Sequence, residues 1–273
     1  MLTREEQLRT EAKDLYLQAK TSDDNQKQLS LYTDAIGKLN DLGEALTDDD
    51  RLLIARCQNN IALSYDHSDE GKLSIEGYQK AITLWKNIKN PTEEHYTYVV
   101  HMYLNLCHRF AEYAIKRNNA AYKPQATEYA ETALDELEEL LVKPGREQPD
   151  NELRLFGKLH FLLGMCGTDK DCNANDEYHS AKRFLSKIQV KKTDAFEDVD
   201  LLAMCNHNIG IIHLECGMPD AAVPYFNDAL KYYSEVKTSA AAQNSEEITN
   251  ILDKIKNSER NYVLAPLPRQ FSI

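Results

Sequence analysis

Asn208-Ile209-Gly210-Ile211-Ile212-His213-Leu214-Glu215-Cys216-Gly217-Met218-Pro219-Asp220-Ala221-Ala222-Val223-Pro224-Tyr225-Phe226-Asn227-Asp228-Ala229 reads as two helices packed face to face. Small residues, Gly210, Ala222 and Ala229, stand where two backbones approach closely, and Ile209 and Phe226 supply the apolar filling between them. Gly217 ends the first helix and Pro219 opens the second, the usual placement of a permissive C-cap before a proline at N1.

A single helical hairpin cannot bury its own apolar face, so similar hairpins are expected on either side of it. From Ala62, residues Ser74, Tyr78 and Ala81 lie at offsets 12, 16 and 19, the same offsets that Ala222, Phe226 and Ala229 have from Gly210. Leu162 with Ala174, Tyr178 and Ala181 repeats them, although leucine is bulky for a close-contact position. Asn105 to Phe110 repeats the first-helix signature, its partner running from Ala126 to Ala133, and Leu15-Tyr16 with Tyr32 and Ala35 forms a degenerate opening unit. This spacing of small and large residues resembles the tetratricopeptide repeat.

Aligned on the residue before the Ile/Leu/Phe, the units fall at Asp14, Asn60, Asn105, His160 and Asn208, at intervals of 46, 45, 55 and 48. The standard unit is about 34 residues, so the resemblance is nearer to the longer-period forms found in motor light chains and bacterial peptide-sensing regulators. It implies an all-α fold: a right-handed superhelix of about five helical hairpins. The expected units lie near 3–42, 48–89, 92–142, 150–189 and 197–236 of one continuous domain, 1–260, with a capping helix at 245–259 and an extended tail at 261–273.

Composition agrees with helices. Only 10 Gly and 8 Pro interrupt long Ala/Leu/Glu/Lys-rich segments, and no alternating run of β-branched residues argues for a sheet. A net charge of −12 disfavours nucleic acid and anionic membranes as partners, and no apolar stretch approaches the roughly 20 residues of a membrane span. Thr3-Arg4-Glu5-Glu6 reads as a capping box rather than a leader. The six cysteines, most of them inside expected helices, read as small buried hydrophobes, which points to a reducing, cytoplasmic compartment.

In repeats of this family the first helix of each pair lines the concave face. The resemblance therefore implies a row of groove residues, Asp14, Asn60, Asn105, His160 and Asn208, with Lys13, Arg56, Asn59, His101, His108 and His207 beside it. A carboxamide offers both a donor and an acceptor, so such a row could hold a peptide backbone; the other reading is that these amides bond to the next helix. The clamp used by the chaperone-docking branch is incomplete here. Lys13 and Asn60 fit two of its places, but Leu17 replaces its first asparagine.

No histidine or cysteine pair has standard metal-ligand spacing, no phosphate loop or nucleophile elbow is present, and no cofactor is implied. The expected function is a non-catalytic scaffold or adaptor binding another protein or peptide. Two alternatives stay open: a regulator closed by its own tail, and a bacterial secreted effector acting through host proteins. The tail itself either packs on the last hairpin or serves as a docking peptide.

Overall fold

The computed structural model describes residues 2–67, 71–116, 120–141, 147–167, 172–188 and 196–257. Every regular element among them is helical: α1 (Arg4–Lys20), α2 (Asn25–Asn40), α3 (Asp48–His67), α4 (Gly71–Trp85), α5 (Glu93–Lys116), α6 (Lys123–Leu141), α7 (Asp150–Cys166), α8 (Cys172–Leu185), α9 (Phe196–Glu215), α10 (Pro219–Tyr233) and α11 (Ser239–Lys256), with 3₁₀ turns at Gly43–Ala45 and Ala120–Tyr122.

Local sequence chemistry fixes where helices begin. Thr3 and Glu6 form the expected reciprocal capping box: the Thr3 amide donates to Glu6 Oε2 at 2.7 Å and the Glu6 amide to Thr3 Oγ1 at 3.2 Å. Thr47 and Asp50 repeat this at α3, the Asp50 amide donating to Thr47 Oγ1 at 3.2 Å and the Thr47 amide to Asp50 Oδ2 at 3.0 Å. Gly217 (φ 73°) ends α9 in a left-handed turn in which the Met218 amide donates back to the His213 carbonyl at 2.8 Å. The last helix begins six residues before the expected Ser245, because Thr238 is its cap, accepting from the Ala241 amide at 3.1 Å. The expected tail, residues 261–273, lies outside the described residues.

The chain divides into two compact units, residues 1–110 with 135–141 and residues 111–134 with 142–273. In the first, α1 pairs with α2, α2 meets α3, and α3 pairs with α4. Ala12, Tyr16 and Ala19 of α1 face Tyr32, Ala35 and Leu39 of α2, the two tyrosine rings 5.8 Å apart, and Leu53, Ile54 and Cys57 close this core. Ser74, Tyr78 and Ala81, picked out by their offsets from Ala62, are completely buried. The α3/α4 helices approach so closely that a Cβ on Gly77 would lie 2.8 Å from that of Ala62.

In the second unit α7 pairs with α8, α8 meets α9, α9 pairs with α10, and α10 meets α11. A Cβ on Gly210 would lie 2.6 Å from the Phe226 ring, the close contact that the opening sequence stretch implies. The α7/α8 hairpin corrects the sequence reading. The residue beneath Tyr178 is Gly164, two places beyond Leu162, and a Cβ there would meet the tyrosine ring at 2.8 Å. Phe161 completes the contact edge-on at 5.6 Å. Leu162 is buried but is not the close-contact residue. Burying a ring such as Tyr178 or Phe226 contributes about 1.5–3 kcal/mol, so each small-against-large contact is a principal source of hairpin stability.

Candidate functional site

Arg9, Lys13 and Leu17 are spaced four apart on α1 and therefore form one stripe beside its buried face. Opposite them stand the first turns of α3. Between the two lies a cleft of about 650 Å³, lined by Arg9, Lys13, Tyr16, Leu17, Thr47, Asp49, Asp50, Leu52, Leu53 and Arg56. All of it belongs to the first unit.

One end of the cleft is saturated. Arg9 Nε donates to both Asp50 oxygens at 3.2 and 2.9 Å, and its Nη2 donates to the Ala45 carbonyl at 2.7 Å. Asp50 also accepts from the Thr47 hydroxyl at 2.8 Å, so the helix cap and the ion pair share one buried carboxylate. The other end is different. The Arg56 guanidinium lies over the rings of Tyr16 and Tyr98, 5.0 and 3.9 Å from their centres. Among the described residues no carboxylate or other acceptor pairs with Arg56 or with Lys13. Leu17, 58% exposed, gives the rim an apolar edge.

The expected row of groove residues is not an open ladder. Asp14 is exposed on α1. Asn60 is half-buried on α3, and the Asn105 side-chain amide donates to Asn59 Oδ1 at 3.1 Å. That bond ties α5 to α3, the second of the two roles that the sequence leaves open. His101 is exposed and His108 half-buried. In the second unit, His160 Nδ1 sits 2.6 Å from Glu177 Oε2 with its ring stacked on Phe184 at 5.4 Å. Asn208 and His207 are inside the α9/α10 core and unreachable from solvent. They fall there because nearly every residue of α9 between Val199 and Ile212 is buried, so this helix has no solvent-facing stripe on which a groove residue could stand.

Burial also sets the chemistry of these groups. Desolvation pushes His207 down to about 4, holding it neutral, and pushes the Cys57 thiol up to about 12, where it is inert. Cys57, Cys107, Cys166 and Cys205 are buried thiols and Cys216 is an exposed one. Among the described residues no group of three or more His, Cys, Asp or Glu side chains is placed to hold a metal ion, and no helix is long and apolar enough to cross a membrane.

Of the sequence candidates the structure thus brings two, Lys13 and Arg56, into one cleft. It adds Tyr16, Leu17, Leu53 and the Arg9–Asp50 pair. The Arg9/Lys13/Leu17 spacing and the Thr47-x-x-Asp50 cap were signals for those additions. Nothing in the sequence pointed to Tyr98, which arrives from a different hairpin.

A second cleft of about 660 Å³ lies among α2, α3 and α4, lined by Ile36, Asn40, Ile54, Gln58, Glu76, Gln79, Lys80, Thr83 and Leu84. Its one acid and one base, Glu76 and Lys80, leave it without net charge.

Comparison with known proteins agrees with this architecture. No family model matches the sequence, and no curated protein matches it. Among solved structures the fold is similar to BtubC (BKLC) from P. vanneervenii, with a TM-score of 0.56 at 16% identity over 97% of this chain and 87% of that one. It is also similar to the apo form of RapI, with a TM-score of 0.60 at 14% identity over 95% of this chain and 61% of RapI. The repeated small-against-large hairpins and these likenesses agree on the fold: stacked helical hairpins, the all-α helical-repeat architecture expected from the resemblance to the tetratricopeptide repeat.

Proposed function

We propose that this chain is a non-catalytic scaffold that binds a peptide or helix of a partner protein, with the α1/α3 cleft of the first unit as a principal contact. The observation that carries this is the open end of that cleft. A guanidinium held against two rings and without a polar partner, an exposed leucine and an unpaired lysine together form a surface with unused binding capacity. An apolar floor with few polar groups at its edge is the usual make-up of a peptide site. The thiols of Cys57 and Cys205, buried in the helix cores, suit a reducing compartment.

Affinity capture from a soluble extract tests the reading. The intact chain is compared with a Leu17→Ser/Arg56→Met variant and with an Asn60→Ala/Asn105→Ala variant. A partner held by the intact chain is expected to be lost from the first variant and retained, with at most a modest loss, by the second. Identical capture by the intact chain and the Leu17→Ser/Arg56→Met variant would remove the cleft from the function.

A further inference from the structure

The cleft among α2, α3 and α4 matches itself. Ile36, Ile54 and Leu84 give it an apolar floor, and Glu76 and Lys80 stand on its α4 side. Those two are four residues apart in the order in which a glutamate and a lysine ordinarily pair on a helix. Among the described residues, however, neither is in an ion pair with the other or with a third group. One turn before Glu76, on the same face of α4, is Leu73, 42% exposed. On the α2 side Gly37 lies between the lining residues Ile36 and Asn40, and a Cβ there would meet nothing within 4 Å. No packing within the fold accounts for a glycine at this mid-helix place, where alanine is more favourable.

A chain of −12 repels copies of itself over much of its surface. This face, with one acid and one base, meets a second copy without that repulsion. The register of α4 agrees. In a two-fold pair every contact occurs twice, residue i on j and j on i. With two α4 helices antiparallel and Glu76 opposite Lys80 of the second copy, Leu73, three residues before Glu76, comes opposite Thr83, three residues after Lys80. Thr83 and Leu84 line the cleft. One register therefore closes both ion pairs and sets each exposed leucine over the other copy's apolar floor, while Gly37 leaves room for the crossing helix.

We infer that this face is a homodimer interface: two copies of the chain meet through antiparallel α4 helices, Leu73 of each in the α2/α3/α4 cleft of the other and Glu76 paired with Lys80 across a two-fold axis. The inference stands apart from the α1/α3 cleft and goes beyond the peptide-binding reading.

Sedimentation velocity of the full chain between about 1 and about 300 μM tests it, a range that spans dissociation constants of ordinary weak dimers. The wild-type chain is expected to pass from monomer to dimer. Glu76→Lys alone and Lys80→Glu alone each set like charges opposite one another twice and should raise the dimer dissociation constant at least about tenfold. An equimolar mixture of those two variants should dimerise as the wild type does, because one copy then presents two cations and the other two acids. That recovery also shows that both variants are folded. Leu73→Ser, at an exposed position, removes two apolar contacts per dimer and should weaken it at least about tenfold. A wild-type chain that stays monomeric throughout, a dimer indifferent to these substitutions, or a mixture that fails to recover would each overturn the inference, and each leaves partner capture by the α1/α3 cleft standing.

Discussion

His207 is completely buried between α9 and the rings of Phe226 and Tyr233, 6.0 and 6.3 Å from its own, and neither ring nitrogen has a hydrogen-bond partner. Replacing it with leucine, close in volume and without polar atoms, removes a group whose burial is unfavourable at any pH and more so in acid. In the unfolded chain the imidazole titrates near 6.5; in the folded chain desolvation lowers that to about 4. Between those values the unfolded state binds the proton and the folded state does not, so stability is fully present above about pH 6.5 and falls as pH drops toward about 4. At about pH 4.5 the loss amounts to about 2.5 kcal/mol from this one residue. At neutral pH His207→Leu is expected to stabilise by about 1 kcal/mol, the cost of leaving imidazole nitrogens unpaired in a core. Urea denaturation of both chains at pH 7 and about pH 4.5 measures the two gaps, and their difference cancels the carboxylates and His179, which the chains share. A gap that stays constant between the two pH values would refute the argument, because it would mean that His207 is solvated or partnered in the folded chain.

Three other perturbations follow from the same packing. Gly210→Ala places a Cβ 2.6 Å from the Phe226 ring and should lower stability by about 1–3 kcal/mol in thermal or urea melts without changing helical content by circular dichroism; an unchanged melting temperature would mean the α9/α10 contact is looser than described. Asp50→Ala removes the α3 cap and leaves the Arg9 guanidinium without its carboxylate, a loss of about 3 kcal/mol, whereas Asp49→Ala at the exposed neighbour should change stability by less than about 0.5 kcal/mol. Alkylation with iodoacetamide at neutral pH, followed by peptide mapping, should label exposed Cys216 long before Cys57, whose thiol is pushed up to about 12; early labelling of Cys57 would show that the α1–α3 core opens readily.

The fold was legible because its determinants are local or periodic. Ser74, Tyr78 and Ala81 were found from their offsets alone and are buried, as are Ala222, Phe226 and Ala229. Caps were legible for the same reason, since Thr3 and Glu6 are three residues apart and their bonds need no tertiary partner. Sequence and structure part where periodicity gives two registers for one contact. On α7 both Leu162 and Gly164 are buried, and only the approach of the backbones decides that Tyr178 rests on the glycine. Periodicity starts the last helix late because its first turn, Ser239-Ala-Ala-Ala, carries no apolar stripe, and its signal is the cap at Thr238.

The site was less legible because aligning units assumes that equivalent positions share an environment. Asn60 and Asn208 hold the same place in their repeats, yet one is half-buried beside Tyr32 and the other lies in the core, since α9 is covered nearly all round while α3 is not. Arg56 shows why function follows from such departures. Its guanidinium is already held on two rings, so part of the rotamer freedom of an arginine, about 2 kcal/mol in all, is lost on folding rather than on binding. A polar group of a ligand reaching it would meet a pre-oriented fork, and pre-orientation raises affinity by lowering the ordering cost of association. An arginine paired within the fold, as Arg9 is with Asp50, must first give up its carboxylate. The unpaired cation in an acidic repeat is therefore the position at which the smallest change in sequence, Arg56→Met, should produce the largest change in what the cleft holds.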